Sequence, residues 1–169
     1  MPSSRRLWAG LAIALTVAVL DQASKWWILE RVMQPPRRIE VTPFFNLVMG
    51  WNRGISFGLF NTDSPWNAWV LSAVAIVIVA VLLVWLYRGP RLFVAAAIGL
   101  IVGGAVGNVI DRLRFQAVAD FLQLHLESWG CPLGWSWCYW PAFNIADSAI
   151  TVGAVIIVAD ALFTRTQND

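Results

Sequence analysis

The stretch LFVAAAIGLIVGGAVGNVI, Leu92 to Ile110, runs for 19 residues without a charge. At about 1.5 Å of rise per residue, a helix of that length covers the roughly 30 Å hydrocarbon core of a bilayer. Immediately before it, Trp66 to Tyr87 gives 22 further uncharged residues, separated from it by Arg88-Gly89-Pro90-Arg91. Glycine suits the position just past a helix end and proline cannot continue the helix, so this is a tight turn between antiparallel neighbours. Two more spans flank the pair: Leu7 to about Leu29, and Pro141 to about Phe163.

The composition agrees with a membrane chain. Hydrophobic residues make up 59% and charged residues 13% of 169 positions, with eleven Trp and a mean hydropathy of +0.65. A water-soluble domain of this length needs far more surface charge, whereas helices facing lipid are apolar all round. Trp8, Trp26, Trp27, Trp66, Trp69 and Trp85 fall near span ends, where an aromatic belt places them. The net charge of +2 and the scattered basic residues give no support to nucleic-acid binding. Residues 1–29 imitate a signal peptide, but the run ends in Asp21-Gln-Ala-Ser-Lys25-Trp-Trp without a small-residue cleavage pattern, and it reads as a retained first helix.

The expected fold is therefore an all-α integral membrane protein of four transmembrane helices, forming a single membrane domain over 1–169. Parity places both termini on the side of the Arg88–Arg91 turn and the two longer segments, about 30–65 and 111–140, together on the other. The short basic turn favours cytoplasmic termini and longer segments on the outer, periplasmic face. Residues 38–49 are partly β-branched and aromatic and are broken by Pro43, so a small β-like cradle is expected there, with a second loop from 111–140.

Polar residues beside such apolar runs are the candidates for function, since a charge at the bilayer centre costs about 2.5–3.5 kcal/mol on insertion scales. In chain order they are Asp21-Gln22-Ala-Ser24-Lys25, Asn52-Arg-Gly54, Gly107-Asn108-Val-Ile-Asp111-Arg112, Val118-Ala-Asp120-Phe121 and Phe143-Asn144-Ile-Ala-Asp147-Ser148. Asn144 followed by Asp147 also fits a helix N-cap with an acid three residues on, and Asp120 fits a solvated loop carboxylate. Asp21 and Lys25 stand four apart in the favourable order for an ion pair, a structural reading. Arg112 suits a lipid phosphate or a substrate carbonyl, or an interfacial snorkelling role beside Asp111. Gly99, Gly103, Gly104 and Gly107 permit close helix approach.

Taken together, the five strings resemble the bacterial lipoprotein signal peptidases, the type II signal peptidases. The resemblance implies a membrane aspartyl endopeptidase that cuts diacylglyceryl-modified prolipoproteins just before the lipidated Cys. Asp120 and Asp147 match its catalytic pair, and Asn52, Gly54, Asn108, Arg112 and Asn144 match positions that bind substrate or support the site. It implies a multi-pass monomer of the bacterial inner membrane, with membrane lipid and the prolipoprotein as partners, no nucleic acid, and a site near the outer face. No metal or other cofactor is implied. Two adjacent carboxylates share a proton, so one acts as base and the other as acid on a water. The single histidine, His125, has no Cys or Ser partner in a catalytic order.

Cys131 and Cys138 lie in the Trp-rich part of the second long segment, and an oxidising compartment would allow a disulfide between them. A small transporter or proton relay using the same two acids is the alternative, though four spans without repeat symmetry are unlike common transporters. A non-catalytic membrane assembly factor is a third reading.

Overall fold

The computed structural model of the chain describes residues 4–54, 66–126 and 138–165. Four helices are long and apolar enough to cross a membrane: α1 (Ser4–Trp27), α2 (Asn67–Tyr87), α3 (Leu92–Phe115) and α4 (Ile145–Arg165). A π-helical turn, Ile28–Val32, follows α1. Three strands, β1 (Ile39–Thr42), β2 (Phe45–Asn52) and β3 (Val118–Leu124), form an antiparallel sheet in the order β1-β2-β3. The chain packs as two compact units, one of residues 1–22, 72–110 and 145–169, the other of residues 23–71 and 111–144.

In the first unit α3 is the central helix, with 56% of its apolar window buried against 11% for both α2 and α4. Its small residues are the cause. A Cβ added at Gly103 would meet the Ala14 carbonyl oxygen of α1 at 2.5 Å, and one at Gly104 would meet the Ala146 carbonyl oxygen of α4 at 2.5 Å. Glycine therefore lets α1 and α4 lie backbone to backbone with α3, the arrangement that makes helix association favourable without a hydrophobic driving force. Ala14 of α1 with Leu86, Val94, Ala95, Ile98 and Val102 makes the buried apolar core. The turn expected at Arg88–Arg91 is present: Gly89 has a left-handed φ of 75°, and its N–H donates to the Leu86 carbonyl at 3.1 Å.

The second unit holds the sheet. β1 and β2 come from the segment where strands were expected, joined across Pro43 and Phe44. β3 comes from the other long segment, expected only as a loop, and pairs along β2 from Phe45↔Leu124 to Asn52↔Val118. Two span limits also differ from expectation. α3 continues past Ile110 for another turn and ends where Gln116, at φ 58°, turns left-handed. α4 begins at Ile145 rather than Pro141, because Phe143 is extended and exchanges backbone hydrogen bonds with Leu122 at 2.8 and 2.9 Å. Cys138 is buried, and Cys131 lies outside the described residues.

Candidate active site

Each of the two acids singled out in the sequence is held by an asparagine amide. In the sheet unit, Asp120 is 3% exposed on β3, opposite Gly50 of β2. Asn144, wholly buried, donates through Nδ2 to Asp120 Oδ1 at 2.7 Å and to the Ala119 carbonyl at 3.3 Å. Its amide nitrogen is thus directed at β3, while the residue itself stands directly before α4, where its spacing placed a cap.

The backbone beside Asp120 has a second tether. The Ala119 N–H donates to Asp111 Oδ2 at 3.1 Å, and the same oxygen lies 2.9 Å from Lys25 Nζ. The Lys25 and Asp111 side chains are 3% and 1% exposed, so this is a buried ion pair whose anion also accepts a backbone hydrogen bond. The extra turn of α3 is what carries Asp111 to it. One residue on, Arg112 Nη2 donates to the Gly54 carbonyl at 3.3 Å, and the Asn52 side-chain oxygen accepts from the Gly54 N–H at 3.0 Å, an Asx-type turn. Asn52, Gly54 and Arg112, read separately in the sequence, are therefore one local cluster. The sequence offers Asp111 only as a neighbour for Arg112, and the structure pairs it with Lys25. An acid immediately after an apolar span, in a chain with a lysine at the end of another span, is the signal that could have found that partner.

In the helical unit, Asp147 occupies the first turn of α4, and Asn108 Nδ2 of α3 donates to its Oδ1 at 2.8 Å. Thr151 Oγ1 donates to the Asp147 carbonyl at 2.8 Å, one turn on. The turn itself is anchored from α1. The Ala146 N–H donates to Asp21 Oδ1 at 3.0 Å, so Asp21, wholly buried, satisfies one of the donors that every helix start leaves open. Gln22 Nε2 donates to Asp21 Oδ2 at 3.2 Å and to the Gly107 carbonyl at 3.1 Å. A Cβ at Gly107 would collide with Asp21 Oδ2. Sequence spacing supplied Lys25 as the partner of Asp21; it gave no sign of Ala146, 125 residues away in the chain.

Gly107→Ala is therefore expected to destabilise the protein by about 1–3 kcal/mol, the usual cost of overpacking a filled core. Asp21→Asn keeps an acceptor for the Ala146 N–H and should lose less than Asp21→Ala, since a missing cap alone costs about 0.5–2 kcal/mol. Unfolding in detergent measures both. Equal losses for the two Asp21 variants would put the stabilisation in the charge and not in the hydrogen bond.

Four membrane-length helices with a small sheet define a multi-pass membrane protein, and the fold is shared with membrane enzymes. The chain matches a structure described as a bacterial membrane enzyme, determined by the in meso method at 2.3 Å resolution, with a TM-score of 0.77 and 30% identity, covering 95% of this chain and 90% of the other. A second bacterial membrane enzyme structure, at 1.9 Å resolution, matches with a TM-score of 0.72 and 29% identity over 90% of this chain and 92% of that one. The family model described as signal peptidase (SPase) II matches residues 13–163. The lipoprotein signal peptidase of Nitrobacter hamburgensis is 41% identical over 160 residues, 94% of this chain and 93% of the relative. That of Burkholderia vietnamiensis is 43% identical over 162 residues, 95% of this chain and 92% of the relative. The chain belongs to the signal peptidase II family, and so is a membrane peptidase.

Proposed function

We propose that this protein removes the signal peptides of prolipoproteins, as an aspartyl endopeptidase that cleaves just before a diacylglyceryl-modified Cys. The observation that carries the reading is the matched treatment of two acids: Asp120 and Asp147 each receive a short amide hydrogen bond, from Asn144 at 2.7 Å and Asn108 at 2.8 Å. A carboxylate whose rotamer is fixed by a neutral donor is preorganised for proton transfer, and no salt-bridge partner is required to hold it. Asn144 leads directly into α4, so the residue that orients Asp120 lies three positions before Asp147 in the chain.

In the reaction, the ionised carboxylate removes a proton from a water as its oxygen attacks the scissile carbonyl carbon. The protonated carboxyl gives its proton to the developing oxyanion. Collapse of the tetrahedral intermediate then breaks the C–N bond, and a proton returned by the pair leaves with the amine. Lys25–Asp111, through the Ala119 N–H, and Asp21, through the Ala146 N–H, hold the backbone one residue before each acid. Asn52, Gly54 and Arg112, which the Gly54 N–H and carbonyl link into one cluster, bind substrate or support the site.

The same reading places the protein in the bacterial inner membrane as a monomer, with cytoplasmic termini and a site near the outer face. A Cys131–Cys138 bridge then lies in an oxidising compartment. The substrate's lipid chains stay in the bilayer while its peptide bond reaches the acids. Purified protein in liposomes is expected to release a signal peptide of the mass that ends just before the modified Cys, and to cleave the unlipidated precursor far more slowly. Equal rates on both precursors would remove the lipid from the specificity. Ion flux with no cleaved product would instead favour the transporter.

A further inference from the structure

The arginines at the Arg88–Arg91 end of the helical unit take no part in the proposed reaction. Arg5 and Arg6 open α1, Arg88 and Arg91 bracket the turn between α2 and α3, and all four are exposed. They come to one depth. A Cβ at Gly10 of α1 would meet Leu86 Cδ1 of α2 at 2.8 Å and the Ala95 carbonyl oxygen of α3 at 2.9 Å, so these three positions lie side by side. Beyond them, Arg6 is four residues from Gly10, Arg88 two from Leu86 and Arg91 four from Ala95. At about 1.5 Å of rise per residue, the four cations therefore fall within roughly one helical turn of each other along the axes. Arg6 Nη1 draws the group together, donating to the Gly89 and Pro90 carbonyls at 3.4 and 3.5 Å.

Compensating charge is scarce there. Asp160 of α4 is the one acid at this end among the described residues, and Arg91 already engages it, Nη1 to Oδ1 at 3.0 Å. Arg5 and Arg88 have no acidic partner among the described residues. Four arginines against one aspartate leave this end with a net charge of +3. Apolar surface continues directly from the cations: Trp8, Tyr87, Leu92, Phe93 and Phe163 are 52–75% exposed. On helices long enough to span a bilayer, that skirt lies among acyl chains and the arginines among headgroups.

The charge decides between headgroups. A guanidinium presents paired, coplanar N–H donors that match the oxygens of a phosphate. A zwitterionic lipid would bring an ammonium group as well, to a surface of excess positive charge whose one carboxylate is engaged by Arg91. An anionic lipid brings the phosphate without the cation. We propose that Arg5, Arg6, Arg88 and Arg91 form a binding surface for the phosphates of anionic phospholipids in the leaflet at this end of the helices, whatever reaction the acids at the other end perform.

The test is native mass spectrometry of the full-length protein released from nonionic detergent micelles that carry phosphatidylglycerol or phosphatidylcholine with the same acyl chains. The wild type should bind phosphatidylglycerol about tenfold more tightly or better, since each arginine at the headgroup level adds to the attraction. Arg5→Gln/Arg88→Gln removes two side chains that hold no other group among the described residues, and it should reduce the preference to about twofold or less while unfolding at the wild-type temperature in lipid-free detergent. Arg31→Gln/Arg37→Gln takes the same charge from exposed arginines of the sheet unit and should keep the preference. Equal binding of the two lipids by the wild type, an unaltered preference in Arg5→Gln/Arg88→Gln, or the same loss in both double variants overturns the proposal. So does full displacement of phosphatidylglycerol by an equal concentration of inorganic phosphate, which would make the arginines a site for a free anion.

Discussion

Asp120→Asn and Asp147→Asn are each expected to reduce kcat by about 10³-fold or more while leaving the protein folded, since positioned acid–base groups contribute roughly 10²–10⁴ each. The substitution separates chemistry from structure unusually well here. Asparagine keeps an oxygen where each carboxylate accepts its hydrogen bond, so Asn144 Nδ2 at 2.7 Å and Asn108 Nδ2 at 2.8 Å retain their acceptors. What is lost is the ability to take up and release a proton. If the two acids act as a pair, removing the second after the first should cost little more, because residues that work as a unit are not additive. Rates of signal-peptide release for both single variants and the double, with unfolding in detergent as the control, test this. A single variant that cleaves at the wild-type rate would move the catalytic group elsewhere, and additive losses would dissolve the pair into two independent contributors.

The four helices were legible because uninterrupted apolar runs in a chain this poor in charge have few other solutions. Their ends were not. The apolar run stops at Ile110, although Asp111 and Arg112 are spaced to share a helical face with Asn108; the helix carries on to Phe115, and the buried Lys25–Asp111 pair supplies the compensation that an isolated charge lacks. β3 was hidden for a related reason. Val118–Leu124 is short, contains an acid, and is buried along its first four residues, so it lacks the polar–apolar alternation that marks a half-exposed strand. Its partner, β2, is about seventy residues away in the chain, as in the pairing Asn46↔Gln123. Asn144 shows the limit at a single residue: local spacing suggested a cap, and Asn144 does stand directly before α4, but nothing local announced that its amide nitrogen reaches Asp120. Asp21 runs the other way, a residue read as half of a local ion pair that supplies the acceptor for the start of α4. In both cases the deciding partner is remote in sequence.

Lys25→Met is expected to cost about 3–5 kcal/mol, the penalty for removing one member of a buried ion pair and leaving the other charge behind. Asp111, 1% exposed, would keep the Ala119 N–H as a hydrogen-bond donor but lose the cation at 2.9 Å. Asp111→Asn leaves the reverse problem, an ammonium group 3% exposed facing a neutral amide. Combining Lys25→Met with Asp111→Asn removes both charges and keeps an acceptor for Ala119, so the double variant should be more stable than the sum of the single losses allows, a coupling that a double-mutant cycle reads directly. The functional consequence follows from the chain: Ala119 precedes Asp120, so a carboxylate neutralised at 111 still holds the strand where the reaction needs it. The double variant is therefore expected to recover signal-peptide release along with stability, whereas recovery of stability without activity would show that the charge of the pair, and not the tether to β3, is what the site uses.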